Sequence, residues 1–217
     1  MRAPWAIVCD FDGTALTEDL GDLVARRYSS EEAWSAAEER FRAGLVTFGG
    51  LIEEIFTAIR VEQPELQAFA RARAVWRPGF ERFLSACAAG GIPFLLVSSG
   101  LDLYIEPVLE RLPPALRAHL ELRSNRAVLT PAGARLTFFG ADCGACGACK
   151  GHVVRELQGR GHKVVVLGDG TGDRHAADAA DHVFARAGSS LARACARDGL
   201  AHDVFATFDE VMERFPA

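Results

Sequence analysis

The chain has 217 residues, of which 49% are hydrophobic and 24% are charged, and its formal net charge is −5. This profile is typical of a soluble globular protein with one large domain, or one domain carrying an insertion. The mildly acidic balance argues against a nucleic-acid surface. No window approaches the roughly 18 apolar residues of a membrane span, and the N-terminus has no signal-peptide pattern. We therefore expect a cytoplasmic protein; its oligomeric state has no signature in the sequence.

The first predicted element is a buried strand over residues 5–11, which ends in the sequence CDFDGT. Residues 18–75 then show only helical spacing. After Thr47, a favourable N-cap residue, one amphipathic stripe runs over residues 48–59, and we interpret it as the core of a helical unit. We therefore predict a helical insertion directly after the first strand.

From Arg77 onward, predicted strands alternate with predicted helices. Such alternation indicates a parallel α/β sheet, to which the first strand also belongs. The strands are predicted at residues 92–100, 163–170, 182–185 and 203–206, with short strand-like pieces and a turn at TPAGA between 120 and 140. The helices are predicted at residues 80–90, 102–112, 151–161, 173–180 and 191–200, with a last helix at the C-terminus.

Polar side chains lie at or just beyond the carboxyl ends of three of the predicted strands. Asp10 and Asp12 lie at the end of the first, Ser98 at the end of the second, and Asp169 at the end of the third, with Asp173 four residues further on. Ligands of open parallel sheets bind beyond the carboxyl ends of the strands. A cluster of carboxylates at that edge repels itself unless a cation is present, and oxygen ligands suit Mg²⁺. The sequence therefore predicts a magnesium site.

The same residue types can transfer a phosphoryl group. An aspartate can act as the nucleophile, and a second carboxylate two residues away can serve as general acid and base. The equatorial phosphoryl oxygens need neutralisation, for which Mg²⁺, Ser98 and the helix-start residue Lys150 are candidates.

Four segments in order, DFDGT, VSSG, CKG and GDGTGD, resemble the motifs of the haloacid dehalogenase superfamily of phosphatases. The resemblance covers nearly the whole chain. It implies an α/β fold with a Rossmann-like parallel sheet core over residues 1–16 and 77–217. It also implies a helical cap domain of the first type over residues 17–76.

The resemblance also implies roles for individual residues. Asp10 matches the nucleophile, and Asp12 matches the general acid and base. Mg²⁺ would be held by Asp10, by the backbone carbonyl of Asp12 and by Asp169, with Asp173 as the second acid of the last motif. The remaining matches are Ser98 and Lys150 for catalysis, and Gly100 and Asp19 for substrate binding. Ser99 departs from a glycine of the family pattern, and it is a substrate-binding candidate because its hydroxyl could reach the phosphate; the alternative is that it only fills space.

Within the superfamily the chain resembles the phosphoserine-phosphatase-like branch. More narrowly, it is similar to the phosphatases of methionine salvage that act on 2-hydroxy-3-keto-5-methylthiopentenyl-1-phosphate. This narrower resemblance depends on three segments: IPFLLVSSGLDLYIEPVLE, the cysteine-rich segment before Lys150, and DHVFAR. Asp19 occupies the position at which phosphoserine phosphatases prefer glutamate. The cap arginine with which those enzymes bind the carboxylate of phosphoserine is matched only approximately, by Arg40 or Arg42.

Several substrates and two other protein classes stay open on the sequence. The resemblance implies a small phosphorylated metabolite as partner, with phosphoserine, phosphoethanolamine, phosphocholine and vitamin phosphates as alternatives to the methionine-salvage substrate. A non-catalytic phosphometabolite-binding protein is a rival from another class. A second rival is a thiol- or zinc-based redox sensor.

That last rival depends on the segment DCGACGACK, which contains Cys143, Cys146 and Cys149. Three readings are open: reduced cysteines in a tight loop, a zinc site, or a redox disulfide beside Lys150. A fourth zinc ligand would come from Asp142, His152 or Cys195, none of which the spacing dictates. The six histidines form no ligating pair, and we expect each of them at the surface or at a helix end. Cys9, Cys87 and Cys195 are expected to be buried.

Overall fold

A seven-stranded sheet organises the structure, a computed structural model that describes residues 4–140, 146 and 149–216. The strand order is β4-β3-β2-β1-β5-β6-β7. The strands are β1 Trp5–Cys9, β2 Phe94–Leu101, β3 Leu120–Thr130, β4 Gly133–Thr137, β5 Lys163–Gly168, β6 His182–Arg186 and β7 Asp203–Phe205. All neighbours are parallel except β3 and β4, which form an antiparallel hairpin at the predicted turn.

Both faces of the central strands are buried, which explains their unbroken apolar runs. Because side chains alternate along a strand, Ile7 and Cys9 of β1 enter one core and Ala6 and Val8 enter the other. β2 and β5 divide their residues in the same way. The sheet is therefore the middle layer, and its functional residues can emerge only at its ends.

The helices of the described chain follow the prediction closely. They are α1 Leu20–Tyr28, α2 Glu31–Arg42, α3 Phe48–Thr57, α4 Gln63–Arg73, α5 Phe80–Ala89, α6 Asp102–Leu109, α7 Pro114–His119, α8 Lys150–Gly159, α9 Arg174–Ala179, α10 Ser190–Asp198 and α11 Phe208–Glu213. The sequence analysis missed α7. A proline favours the first turn, but six residues are too few to show a helical period.

Helices α1 to α4 stand between β1 and β2 along the chain, as the predicted insertion requires. The chain leaves and returns at one place, where Leu16 and Trp76 form an isolated antiparallel bridge and the Thr17 amide donates to the Val75 carbonyl at 3.0 Å. The boundaries of the cap at residues 17 and 76 stay a prediction. The predicted fold class, a parallel α/β core with an inserted helical cap, is confirmed.

The described helices contain none with both the length and the hydropathy of a bilayer-crossing segment. The predicted burial of Cys9, Cys87 and Cys195 is also confirmed.

Candidate active site

A cavity of about 360 Å³ opens between the carboxyl ends of the central strands and the cap helices. It collects every residue that the sequence motifs selected. Those lining it are Asp10, Asp12, Asp19, Ser98, Ser99, Gly100, Lys150, Asp169 and Asp173. β1, β2 and β5 are neighbours in the sheet, so the loops that follow them meet at this edge.

The loop after β1 turns sharply over residues 11–15, and Gly13 makes the turn compatible with the loop after β5. Its φ of +71° lies in the left-handed region, and a Cβ on it would lie 2.5 Å from Oδ2 of Asp169. The Arg77 guanidinium fixes this loop from below by donating to the carbonyls of Gly13 and Thr14 at 2.6 and 2.7 Å. Arg77 was not singled out from the sequence.

Lys150 joins two carboxylates in the buried floor of the cavity. Its Nζ donates to Oδ1 of Asp10 and, at 2.6 Å, to Oδ1 of Asp173. The other oxygen of Asp173 accepts from the amides of Asp169 and Gly170, each at 2.9 Å. The three charged side chains are at most 8% exposed. Asp173 therefore holds the lysine and the loop after β5 together.

The floor of the cavity has an excess of negative charge. Burial raises the pKa of Asp10 well above its usual value, and repulsion from Asp173 adds to the effect while Lys150 opposes it. Burial and Asp173 also raise the pKa of Asp169, although Arg186 lies 3.2 Å from its Oδ2. Burial opposes the charge on Lys150, but the attraction of Asp10 and Asp173 raises its pKa.

This donor set fits a magnesium ion. Carboxylate oxygens of Asp10, Asp169 and Asp173 all lie within 4.8 Å of one another, and hard oxygen donors in such a cluster suit Mg²⁺. Because Asp173 already contacts Lys150 and two amides, Asp10 and Asp169 are the side chains freer to bind the ion. The Asp12 carboxylate is not part of the group. The ligand set, including the Asp12 carbonyl, stays a prediction.

Asp12 has different hydrogen-bond partners from Asp10, although the two residues are only two positions apart and both line the cavity. Its Oδ1 accepts from the amides of Leu20 and Gly21 at the start of α1, at 2.9 and 3.2 Å. Its Oδ2 accepts from the Tyr104 hydroxyl at 3.0 Å. Burial, reinforced by the charge of Asp19, raises the pKa of Asp12 to about 8. Its carboxyl group can therefore hold a proton at neutral pH.

Tyr104 is a site residue that the sequence analysis missed. It lies in the first turn of α6 and is 1% exposed, and its ring stacks on Phe56 of the cap. Gly100 leaves room for it, because a Cβ at residue 100 would lie 1.9 Å from the Tyr104 hydroxyl. The only hint in the sequence was its phenolic hydroxyl between the apolar residues Leu103 and Ile105. Helical periodicity assigns such a position to the core and not to the site.

The two serines near the carboxyl end of β2 have different surroundings. Ser98 Oγ accepts from the Gly100 amide at 2.9 Å and keeps its own proton free to donate. Ser99 Oγ is buried and has no hydrogen-bond partner among the described residues, while its carbonyl accepts from Asn125 Nδ2 at 2.8 Å. Both serines line the cavity.

The cap contributes an apolar wall and an acidic rim to the cavity. The sequence analysis read the α3 stripe as cap core, and its buried residues do pack there. The same stripe also lines the cavity, as does Trp34; the α3 residues are Phe48, Leu51, Ile52, Ile55 and Phe56. Asp19 lies at the rim, where desolvation raises its pKa to about 6.

Three other polar or aromatic cap residues, Tyr28 and the two approximate matches to the carboxylate-binding arginine, Arg40 and Arg42, are not part of the cavity lining. Tyr28 packs edge-on against Phe69. Arg40 pairs with Glu54 at 3.3 Å and Arg42 pairs with Glu38 at 2.8 Å. Lys150 is the one basic residue among the described side chains that line the cavity.

The comparison with family models decides the classification. Residues 7–178 match the model described as haloacid dehalogenase-like hydrolase. The chain belongs to this family. The matched range includes both the residues at the floor of the cavity and the cap helices.

Relatives of the chain carry names that agree with this membership. The chain is 32% identical to the "Bifunctional enzyme MtnB/MtnX" of Bacillus licheniformis, over 97% of the chain and 49% of that protein. It thus spans about half of that relative. It is 30% identical to a 2-hydroxy-3-keto-5-methylthiopentenyl-1-phosphate phosphatase of Brevibacillus brevis, over 98% of the chain and 95% of the relative. The predicted enzyme class, a phosphoric monoester hydrolase, is confirmed.

Solved structures share the fold. A phosphoserine phosphatase solved as a phospho-aspartyl intermediate analogue superimposes with a TM-score of 0.75, 16% identity and full coverage of both chains. A substrate-bound phosphoserine phosphatase gives the same TM-score at 15% identity, also over both full chains. At this level of identity, the likeness concerns the arrangement of the sheet and the cap.

Proposed function

We propose that the chain is a magnesium-dependent phosphatase that hydrolyses a small phosphorylated metabolite through an aspartyl-phosphate. The observation that carries the proposal is the divergence of Asp10 and Asp12. One carboxylate faces Lys150 and the acidic cluster, and the other faces the start of α1 with its pKa raised to about 8. Two nearby acids in contrasting environments are suited to different steps of one reaction.

Asp10 is the nucleophile in this proposal. Its Oδ1 is held by Lys150, which leaves the other oxygen for in-line attack on phosphorus. The P–O bond to the substrate alcohol breaks as the bond from Asp10 to phosphorus forms, so the carboxylate becomes an acyl phosphate. The positive charge of Lys150 opposes the effect of burial on the pKa of Asp10 and so favours the carboxylate form. It also offsets the charge of the phosphoryl group.

Asp12 is the general acid and then the general base. Its protonated form gives the leaving alkoxide a proton, and the resulting carboxylate is stabilised by the two α1 amides and by Tyr104. The same carboxylate then takes a proton from the water that hydrolyses the acyl phosphate. This step releases inorganic phosphate, returns Asp10 to its carboxylate form and returns Asp12 to its protonated form.

Asp10 and Asp169, with the carbonyl of Asp12 and with Asp173 behind them, would hold the magnesium ion. When bound, the ion supplies positive charge that the floor of the cavity lacks and that a phosphoryl group requires. Ser98 and Ser99 would donate to phosphoryl oxygens from the carboxyl end of β2, and Gly100 lines the same space.

The cap wall favours an apolar substrate tail. Five α3 side chains face the cavity without a charge among them, so they suit the methylthioalkyl part of 2-hydroxy-3-keto-5-methylthiopentenyl-1-phosphate, the substrate named for the Brevibacillus brevis relative. Phosphoserine fits less well, because its carboxylate would need a cation other than Lys150 and the described lining offers none. We therefore place the activity in methionine salvage.

Amine-bearing phosphates are the second candidate, favoured by the acidic rim. Asp19, Asp22 and Glu38 line the cavity, although Asp22 and Glu38 already pair with Arg26 and Arg42. Phosphoethanolamine or phosphocholine would place a cation there.

A phosphate-release screen tests the proposal. The panel contains the methylthiopentenyl phosphate, phosphoserine, phosphoethanolamine, phosphocholine, vitamin phosphates and p-nitrophenyl phosphate, with Mg²⁺ or with a chelator. We expect hydrolysis only with Mg²⁺, with the highest kcat/KM for the methylthio substrate. Asp10→Asn should abolish turnover and acid-stable labelling of the protein from a phosphorylated substrate. Full activity of Asp10→Asn would refute the mechanism, and phosphate binding without hydrolysis would favour a binding protein.

A further inference from the structure

A second cluster of ligating atoms lies outside the cavity and consists of two thiols and an imidazole. Nδ1 of His175 lies 3.2 Å from Sγ of Cys146 and 3.6 Å from Sγ of Cys149. The ligating atoms of all three residues lie within 4.8 Å of one another. Both thiols are buried and neither is in a disulfide. None of the three residues lines the cavity.

The distance from Cys149 equals the sulfur–nitrogen edge of a tetrahedral zinc site, and the distance from Cys146 is about 0.4 Å shorter than that edge. With Zn–S bonds of about 2.3 Å and Zn–N bonds of about 2.0–2.1 Å, a tetrahedral angle separates sulfur from nitrogen by about 3.6 Å. Hydrogen bonding alone fits less well. In either tautomer Nδ1 has one lone pair or one proton, so it can form only one linear hydrogen bond, and two sulfur atoms converge on it. A metal ion at the centre accommodates both contacts.

We propose that Cys146, Cys149 and His175 bind a structural zinc ion that is separate from the magnesium of the reaction. Thiolate and imidazole ligands select a softer metal than the carboxylates around Asp10 do. On binding, the two thiols lose their protons to solvent and coordinate as thiolates, while His175 coordinates as the neutral ring through Nδ1.

The described residues supply three of the four ligands that structural zinc takes. Of the candidates named from the sequence, His152 and Cys195 are not in the group, and Asp142 and Cys143 lie outside the described residues. His175 lies at a helix end, as expected, in the first turn of α9, but its contact with the two cysteines was not predicted. The chain brings it there because α9 packs against α8, a contact that sequence spacing does not show.

The position of the cluster links it to Lys150 and Asp173. Cys149 is the residue that caps α8, whose first residue is Lys150. His175 lies two residues after Asp173, near the start of α9. Since Nζ of Lys150 lies 2.6 Å from Asp173, a zinc ion here would cross-link the two segments that carry this ion pair. Its role would be to hold the ammonium group in register with the cavity.

Zinc content measures the proposal directly. The full chain is purified from zinc-supplemented cells without chelators and with a phosphine reductant, and bound zinc is measured by atomic emission. We expect about one zinc ion per chain. Cys149→Ser and His175→Gln should each retain less than about a tenth of that. Cys87→Ser is the matched control, because Cys87 is a buried free cysteine outside the cluster, and it should keep its zinc.

Two further measurements distinguish the loss of a zinc ligand from misfolding of the variant. Cobalt added to stripped protein should produce thiolate charge-transfer absorption and tetrahedral ligand-field bands, absent in His175→Gln. Thermal unfolding of the wild type should shift to lower temperature with a chelator and return with zinc, whereas His175→Gln should show neither shift.

Three results would overturn the proposal: a reduced wild type that takes up no zinc, a His175→Gln variant that retains zinc, or a Cys146–Cys149 disulfide in the purified protein. A zinc-free but active phosphatase would refute this inference and leave the proposed function standing. A zinc-containing protein without phosphatase activity would do the reverse.

Discussion

The hydroxyl of Tyr104 donates to Oδ2 of Asp12 at 3.0 Å and thereby joins the loop after β1 to the helix after β2. The same ring stacks on Phe56 at a centroid separation of 6.1 Å. One side chain thus contacts the proposed general acid and the cap wall together. A movement of Phe56 on closure of the cap over a substrate would therefore be transmitted through Tyr104 to Asp12, the proposed donor of a proton to the leaving oxygen.

Replacing Tyr104 should change the pH dependence of the reaction. Asp12 acts as an acid only when protonated, so kcat/KM should fall as pH rises through its pKa of about 8. The Tyr104 hydrogen bond lowers that pKa and the charge of Asp19 raises it. Tyr104→Phe should therefore move the alkaline limb to higher pH, and Asp19→Asn should move it lower. A hydrogen bond of about 1 kcal/mol corresponds to roughly 0.7 of a pH unit.

The measurement is a pH profile of ethyl phosphate hydrolysis, followed by phosphate release at saturating Mg²⁺, because a leaving alkoxide needs the proton that Asp12 supplies. Tyr28→Phe is the control, because Tyr28 is the other tyrosine of the chain and packs on Phe69 away from Asp12. If the alkaline limb moved in the same direction in Tyr104→Phe and in Asp19→Asn, the assignment of Asp12 would be contradicted.

Ser99 should show opposite effects on function and stability. Its buried hydroxyl lacks a partner in the described structure, so Ser99→Ala removes an unsatisfied group and should leave the free energy of unfolding unchanged or raise it by about 1 kcal/mol. If the hydroxyl donates to the phosphoryl group, inorganic phosphate should inhibit the variant roughly tenfold more weakly. Urea unfolding and phosphate inhibition check the two effects, with the exposed Ser85→Ala as control. Unchanged phosphate inhibition would remove Ser99 from the site.

The cap wall should govern the choice of alcohol. Ile52→Ala should lower kcat/KM for the methylthio substrate about tenfold or more, because burying an apolar group there contributes roughly 1–3 kcal/mol. Ethyl phosphate has no tail to reach the wall, so its hydrolysis should change little. Ile59→Val is the control, since Ile59 is 1% exposed and packs in the core without lining the cavity. An equal loss for both substrates would mean that α3 supports the fold only.

Arg77 should be important for stability. Its guanidinium donates to the carbonyls of Gly13, Thr14, Leu16 and Ala206. Arg77→Met leaves buried carbonyls without donors and should lower the free energy of unfolding by about 3 kcal/mol. Arg82→Met, which breaks an exposed pair with Asp209, should cost less than about 1 kcal/mol. Equal urea midpoints for the two variants would contradict this account.

The sequence by itself determined the layers and the reactive groups. Apolar runs such as residues 94–97 indicate strands buried on both faces, and the acids after them must share one edge because parallel strands end together. Thus Asp10, Ser98 and Asp169 could be placed in one cavity before any coordinates were known. Local sequence spacing is sufficient to place such groups, because they lie at the ends of regular strands whose positions the spacing predicts.

Only the tertiary structure decided which way the side chains face and which distant residues meet them. Asp10 and Asp12 are two residues apart, yet one contacts Lys150 and the other contacts α1 and Tyr104. The α3 stripe serves both the cap core and the cavity wall, and His175 joins two cysteines across the contact of α8 with α9. Sequence periodicity records how a side chain is oriented within its own element. Which partner it finds depends on how elements far apart in the chain pack together.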